Sequence, residues 1–295
     1  VSPITLVAPV TTSQPGARRA EAGSLDIMRI ATWNVNSIRA RADRVEAWLD
    51  RSDIDVLAIQ ETKAKDENFP FAMFERLGYD VAHFGLNQWN GVAIASRVGL
   101  DDVERTFPGQ PAFGKPGKEE VQEARAIAAT CGDVRVWSLY IPNGRGLDDP
   151  HMAYKLEWLK VLRENTQKWL SDDPALQLAL VGDWNVAPQD DDVWDIDFFR
   201  KNEMTHVTEP ERAAFFSFIE EAGLADVARP YTQGEKDYTY WDYTSLRFPK
   251  NEGMRIDFQL YSPALAERVT GAEYDREERK GKGASDHLPV IVELD

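Results

Sequence analysis

Asp183 and Asn185 stand two positions apart at the end of the apolar run Leu178-Ala179-Leu180-Val181, with Gly182 between run and carboxylate. Residues two apart in an extended chain point to the same side. A carboxylate and a neutral amide therefore share one side of a strand end, with the glycine expected to close the strand. That pair suits phosphate chemistry: the carboxylate takes a proton or holds a water, and the amide donates to an oxygen without adding repulsion. Polar stations of the same kind stand at the ends of other expected strands, at Asn34 with Asn36, at Glu61, at Asp257, and at Asp286 with His287. Each alone reads as a turn former. Together they supply Glu, Asp and Asn oxygens with few histidines and no thiolate cluster, a donor set for a hard cation such as Mg²⁺ or Mn²⁺ rather than zinc. A cation of that type beside an Asp and a His serves the cleavage of a phosphate ester.

The elements that must bring these stations together are marked by apolar periodicity. Strands are expected at 28–34, 55–61, 80–84, 91–96, 124–130 and 134–141, then at 238–243, 255–261, 271–276 and 288–294. Helices are expected at 42–50, at 151–170 behind Pro150, and at 210–222. Several strands follow one another without a helix between them, which points to an α+β body of two packed sheets with helices outside. Trp33-Asn34-Val35 and Trp184-Asn185-Val186 repeat one run after two buried strands. Two similar halves facing one cleft would produce that echo.

With 43% apolar and 11% aromatic residues the chain has a globular composition. Residues 1–26 lack periodicity and read as a flexible leader, with 27–295 as a single catalytic domain. The single cysteine, Cys131, excludes an internal disulfide and fits a reducing cytoplasm, and no apolar run is long enough for a membrane helix. The net charge of −16 argues against a polyanionic partner. A local basic rim can coexist with that total.

Trp33-Asn34-Val35-Asn36-Ser37-Ile38-Arg39, Gln60-Glu61-Thr62-Lys63, Tyr140-Ile141-Pro142-Asn143-Gly144, Gly182-Asp183-Trp184-Asn185, Arg255-Ile256-Asp257 and Ser285-Asp286-His287-Leu288-Pro289 resemble, in this order, the motifs of the exonuclease III family of apurinic/apyrimidinic endonucleases. The resemblance runs from about Met28 to Asp295. It implies a four-layer α/β/β/α sandwich, Mg²⁺ dependence with Mn²⁺ as a substitute, and incision 5′ to abasic sites in double-stranded DNA, with 3′-to-5′ exonuclease and 3′-end-trimming activities. Carried over residue by residue, Glu61 resembles the main metal ligand, with Asn34, Asn36 and Asp286 around it. Asp183 resembles the group that positions or deprotonates the attacking water, Asn185 its hydrogen-bonding neighbour, His287 the phosphate-polarising histidine and Asp257 its orienting carboxylate. Tyr140 and Asn143 resemble phosphate contacts.

Lys63 and Arg125 are expected on the substrate side. Tyr240, Trp241, Met254 and Ile256 resemble apolar walls that receive a base-free sugar. Ser37 departs from the commoner glycine of the first motif, which puts the placing of Asn36 in doubt. The run Arg276 to Gly283 and scattered arginines and lysines near motif ends are expected to form the basic rim, with Asp190-Asp191-Asp192 as a solvated acidic face elsewhere. A monomer acting on DNA abasic sites or 3′ ends is expected. The alternative keeps the fold and acts on a non-DNA phosphate ester, as a phosphodiesterase or phosphatase of the same superfamily. A non-catalytic interaction protein would have lost polar stations, and none is lost here.

Overall fold

The computed structural model describes residues 27–232 and 237–295, so the expected leader lies outside the described residues. The strands are β1 (Met28–Asn34), β2 (Val56–Gln60), β3 (Asp80–Phe84), β4 (Val92–Ser96), β5 (Asp101–Arg105), β6 (Ala126–Cys131), β7 (Val134–Tyr140), β8 (Leu178–Asp183), β9 (Ala225–Asp226), β10 (Asp257–Tyr261), β11 (Val269–Tyr274) and β12 (Val290–Leu294). The helices are α1 (Ile38–Ser52), α2 (Phe71–Arg76), α3 (Pro150–Asp172), α4 (Ile196–Lys201), α5 (Glu209–Glu220) and α6 (Pro263–Ala266). One sheet runs β11-β12-β1-β2-β4-β3 and the other β5-β6-β7-β8-β10-β9.

The two sheets repeat one pattern. In each a central parallel pair, β1 with β2 and β8 with β7, is flanked on both sides by antiparallel neighbours. The Trp-Asn-Val echo lies at the carboxyl end of the equivalent strands β1 and β8, partly within the first and just past the second. Alternation then sorts side chains between two faces: Ile30, Val56 and Val92 meet Ile127, Val136 and Val181 between the sheets. The opposite faces bury Trp33 and Ile59 beneath α1 and α2, and Trp137, Leu139 and Leu180 beneath α3 and α5. This is the expected α/β/β/α sandwich. Polar ties cross it as well, with Gln60 Nε2 donating to Ser138 Oγ at 3.0 Å and Gln259 Nε2 to Ile30 O at 3.0 Å.

Several local expectations are corrected. Gly182 does not close its strand but lies inside β8, paired with Leu139 across the parallel β7–β8 ladder. Its φ is 149°, and a Cβ there would stand 1.9 Å from the Leu139 carbonyl oxygen, so only glycine fits. Residues 238–243 form no strand; Tyr240 makes single bridges to Met254 and to His287, and the chain then turns at Asp242, which accepts from Thr244 N at 2.7 Å. The exposed β5 and the short α2 and α4 gave too little apolar periodicity to be expected.

Helix α1 begins at Ile38, four residues before the sequence suggested, because the Ser37 hydroxyl accepts from Ala40 N and caps it. Ser37 itself has φ 87°, a region where L-residues are strained. Ser37→Gly should therefore raise stability by about 0.5–1 kcal/mol, relief of strain outweighing the weaker cap and the looser unfolded chain. Thermal unfolding checks this, and a lowered Tm would contradict it.

Candidate active site

Strands β1 and β8 deliver one residue each from the two sheets to a single point. Asn34 Nδ2 donates to Asp183 Oδ2 at 3.0 Å and to Glu61 Oε1 at 3.1 Å. The amide thus stands between two carboxylates that would otherwise repel. Antiparallel register sets Asp257 on β10 opposite Asp183. His287, three residues before β12, places Nδ1 2.8 Å from Asp257 Oδ2 and Nε2 3.7 Å from Asp183 Oδ2. All three side chains are buried, and their ligand atoms lie within 4.8 Å of one another.

Electrostatics fixes the protonation pattern there. Burial alone would discharge His287, yet the Asp257, Asp183 and Asp286 carboxylates overcome it and push the imidazole up to about 10. Burial pushes Asp183 upward, and the nearby Asp257 and Glu61 charges add to this against the pull of His287. At neutral pH the histidine is a charged donor held between two acids. The buried imidazolium stands fixed between these two carboxylates and offsets one of their two charges, so a metal fits better beside them on the side of Glu61, whose side chain is partly open.

That side is built by a strained turn. Glu61 and Lys63 both have φ 50°, which turns two side chains two apart over the same spot. Lys63 Nζ lies 3.1 Å from Glu61 Oε2 and 2.6 Å from Asn36 Oδ1. A cation is thus already seated between these oxygens, which is the observation that the residues fit a hard metal ion. Burial would raise Glu61, but Lys63, the Tyr140 hydroxyl and the Asn34 amide hold it below its ordinary value. Asp286 joins through Oδ1, which accepts from Asn36 Nδ2 at 3.2 Å. Asn34 is the exception among the expected ligands. Its Oδ1 accepts from Asn36 N at 3.0 Å and its NH₂ faces the carboxylates, so it acts as a spacer.

Asn185, at φ 50°, donates Nδ2 to Ile141 O at 2.9 Å, and its own N–H caps Asp183 Oδ1 at 3.0 Å. Asn143 approaches Asn185 Oδ1 at 3.5 Å, and the Arg125 guanidinium lies 4.8 Å over the Tyr140 ring while pairing with Glu123 at 2.7 Å. Sequence reasoning missed the support behind Asn185. Lys155 on α3, wholly buried, donates to Asn185 O and to Glu211 on α5, each at 2.5 Å, and His206 Nε2 lies 3.2 Å from Asn185 Oδ1. The Thr208-to-Glu211 capping box was the available signal for Glu211, though it marks only a helix start.

The expected sugar-receiving walls are largely closed. Trp241 is wholly buried, its Nε1 donating to Asn251 Oδ1 at 3.1 Å and its ring packed edge-on against Phe248, so it belongs to the core. Met254 and Ile256 are buried in a small cluster with Val193, Phe199 and Val207. Only Tyr240 is partly open, with its ring 4.9 Å from that of His287. The basic rim is also reduced. Arg276 and Arg279 turn inward over Trp241 and Phe248, and Arg44 is held by carbonyls of Glu278 and Lys280, because these cations find aromatic and carbonyl partners at home. Asp192 is likewise not solvated; it is buried against Arg229 at 2.8 Å.

A model of the endonuclease/exonuclease/phosphatase family matches residues 31–287. An exodeoxyribonuclease of Bacillus subtilis is 30% identical over 267 residues, 89% of this chain and 98% of its own length. The solved 3′ phosphatase NExo from Neisseria, bound to a product DNA hairpin, superposes with a TM-score of 0.82 at 34% identity, over 91% of this chain and 99% of that one. An AP endonuclease from Archaeoglobus fulgidus gives 0.81 at 35% identity, over 91% and 99%. With sandwich, strand-end residues and these likenesses in agreement, the chain belongs to the endonuclease/exonuclease/phosphatase family, in its exonuclease III group of hydrolytic nucleases.

Proposed function

We propose that this protein is a Mg²⁺-dependent DNA repair nuclease that cuts the phosphodiester 5′ to an abasic site in duplex DNA and processes 3′ ends, by exonuclease and end-trimming action. The observation that carries the reading is the Asp257–His287 pair with Asp183 on the other side of the imidazole. Asp183, capped by Asn185 N–H and Asn34, holds the attacking water through its free lone pairs and accepts its proton. His287, kept charged by Asp257, donates from Nε2 to a non-bridging phosphate oxygen as charge builds there. Tyr140 stays protonated, since burial and the adjacent Glu61 both raise it, and its hydroxyl turns from Glu61 to donate to the phosphate beside Asn143. Glu61, Asn36 and Asp286 would hold the metal ion. When bound, Mg²⁺ supplies Lewis-acid stabilisation of charge at the phosphate. Mn²⁺ satisfies the same oxygen set.

The closed state of Trp241, Met254 and Ile256 favours a second emphasis within this reading, work at 3′ ends over internal incision. The test uses a duplex with one abasic analogue and a nicked duplex ending in a 3′-phosphate, each with Mg²⁺ and with chelator. Metal-dependent incision of the first is expected, abolished by chelation and restored by added Mg²⁺. Turnover of the 3′-phosphate alone would select the end-processing emphasis. If neither substrate changes, or chelator leaves the cut intact, the reading fails.

A further inference from the structure

A cleft of about 860 Å³ leads away from Glu61 and Tyr140 to the exposed loop that carries Trp89. That loop is pinned at its base: Gly85 N donates to Asp66 at 2.9 Å, Lys63 N to Asn90 O at 2.8 Å, and Asn90 Nδ2 to Glu123 at 3.0 Å. Trp89 N turns back onto Asn87 Oδ1 at 2.8 Å. Trp89 is nonetheless 68% exposed, and no ring or guanidinium packs on it among the described residues. A large flat apolar side chain held out on a pinned loop lacks a partner within the fold.

The cleft is also lined by the long connection between β5 and β6, folded back on itself through a Phe113–Val121 bridge. Phe113 is seated on His151 with ring centres 4.1 Å apart, which anchors this wall to the start of α3. Lys115 and Arg145 line the cleft together with Glu119, and among the described residues neither cation lies within salt-bridge distance of a carboxylate, although Asp149 feels the Arg145 charge. In a chain of net charge −16, exposed unpaired cations along one cleft mark a place for an anion. The volume is that of a small-molecule pocket. That volume is small for a duplex and ample for an unpaired nucleotide.

We propose that this cleft is a subsite for an unpaired stretch of substrate strand next to the scissile phosphate, with a nucleobase stacked on Trp89 and its phosphates between Lys115 and Arg145. Base–aromatic stacking with a basic track is the general means of holding single strands without sequence preference. The inference rests on the nuclease reading and adds a preference for substrates that are unpaired beside the cut.

The test measures binding by anisotropy in the Asp183→Asn background, with labelled duplexes carrying one abasic analogue. One is fully paired; the others have a short unpaired stretch on its 5′ or its 3′ side. The chain with Trp89 intact should favour one of the unpaired duplexes over the paired one. Trp89→Ala should reduce that preference roughly ten-fold, the scale of stacking one base on an aromatic ring, and Trp89→Phe should restore most of it. No preference with Trp89 intact, or a preference that survives Trp89→Ala, would overturn the subsite while leaving the nuclease reading standing. Failure of every DNA to bind would remove the nuclease reading itself.

Discussion

Asp183→Asn should slow single-turnover cleavage of an abasic duplex by roughly 10²–10⁴-fold, the span associated with loss of a positioned proton acceptor. The substitution keeps shape and removes only the basic lone pair. Oδ1 can still accept from Asn185 N at 3.0 Å, so the turn after β8 persists. Opposing effects on stability offset each other. Removing a charge from this buried site relieves desolvation and the repulsion from Asp257 and Glu61, while the attraction to the His287 imidazolium is lost and an NH₂ now faces Asn34 Nδ2, which is itself a donor. The Tm should move little, and DNA affinity should stay within a few-fold. A variant that still cuts at the original rate would remove Asp183 from the proposed role. One that loses cutting only because it melts would show as a collapsed Tm.

Asp257→Asn should change the shape of the pH–rate profile as well as its height. His287 is charged at neutral pH chiefly because the Asp257 carboxylate lies 2.8 Å from Nδ1. Without that anion, burial dominates and the imidazole gives up its proton far more easily. The donating form is the acid form, so activity is expected below the imidazole's pKa and lost as pH rises through it. With Asp257 present that loss comes near 10, the value to which His287 is raised. In Asp257→Asn the alkaline limb should move down by roughly 1–3 pH units, the usual worth of an adjacent opposite charge. Stability follows the same sign: a raised His287 stabilises the fold below its unfolded pKa, and that contribution fades as pH climbs through about 10. Rates and melting temperatures across neutral and alkaline pH check both. An unchanged alkaline limb would mean that His287 is not the donor.

Much of the architecture was legible because it is local. Alternating apolar residues in 28–34, 80–84 and 134–140 fix both the strand and the face each side chain takes, and those spans match the folded chain closely. Where local signal was thin, the reading failed. Asp101–Arg105 is exposed throughout and forms an edge strand through its ladder to β6 alone. The aromatic run 238–243 has strand-like composition, but its backbone partners, Met254 and His287, are set by the packing of distant loops.

The site divides in the same way. Asn34, Glu61, Asp183, Asp257 and His287 could be picked out because each stands at or beside one end of an apolar run, the first three at its close and the last two at its start, within a recognisable motif. Their types also pointed to hard-cation and phosphate chemistry. The sequence by itself therefore determined which residues are available, the layered sandwich and the family. Only the tertiary structure decided what each residue is. Burial and distance made His287 a charged donor, turned Asn34 from an expected ligand into a spacer between carboxylates, and drew Trp241 and Arg279 into the core. Burial also hid the Lys155–Glu211 pair behind Asn185 and left Trp89 exposed at the end of the cleft. The reason is physical: periodicity is written in neighbouring residues, whereas desolvation and charge coupling depend on groups brought together from opposite ends of the chain.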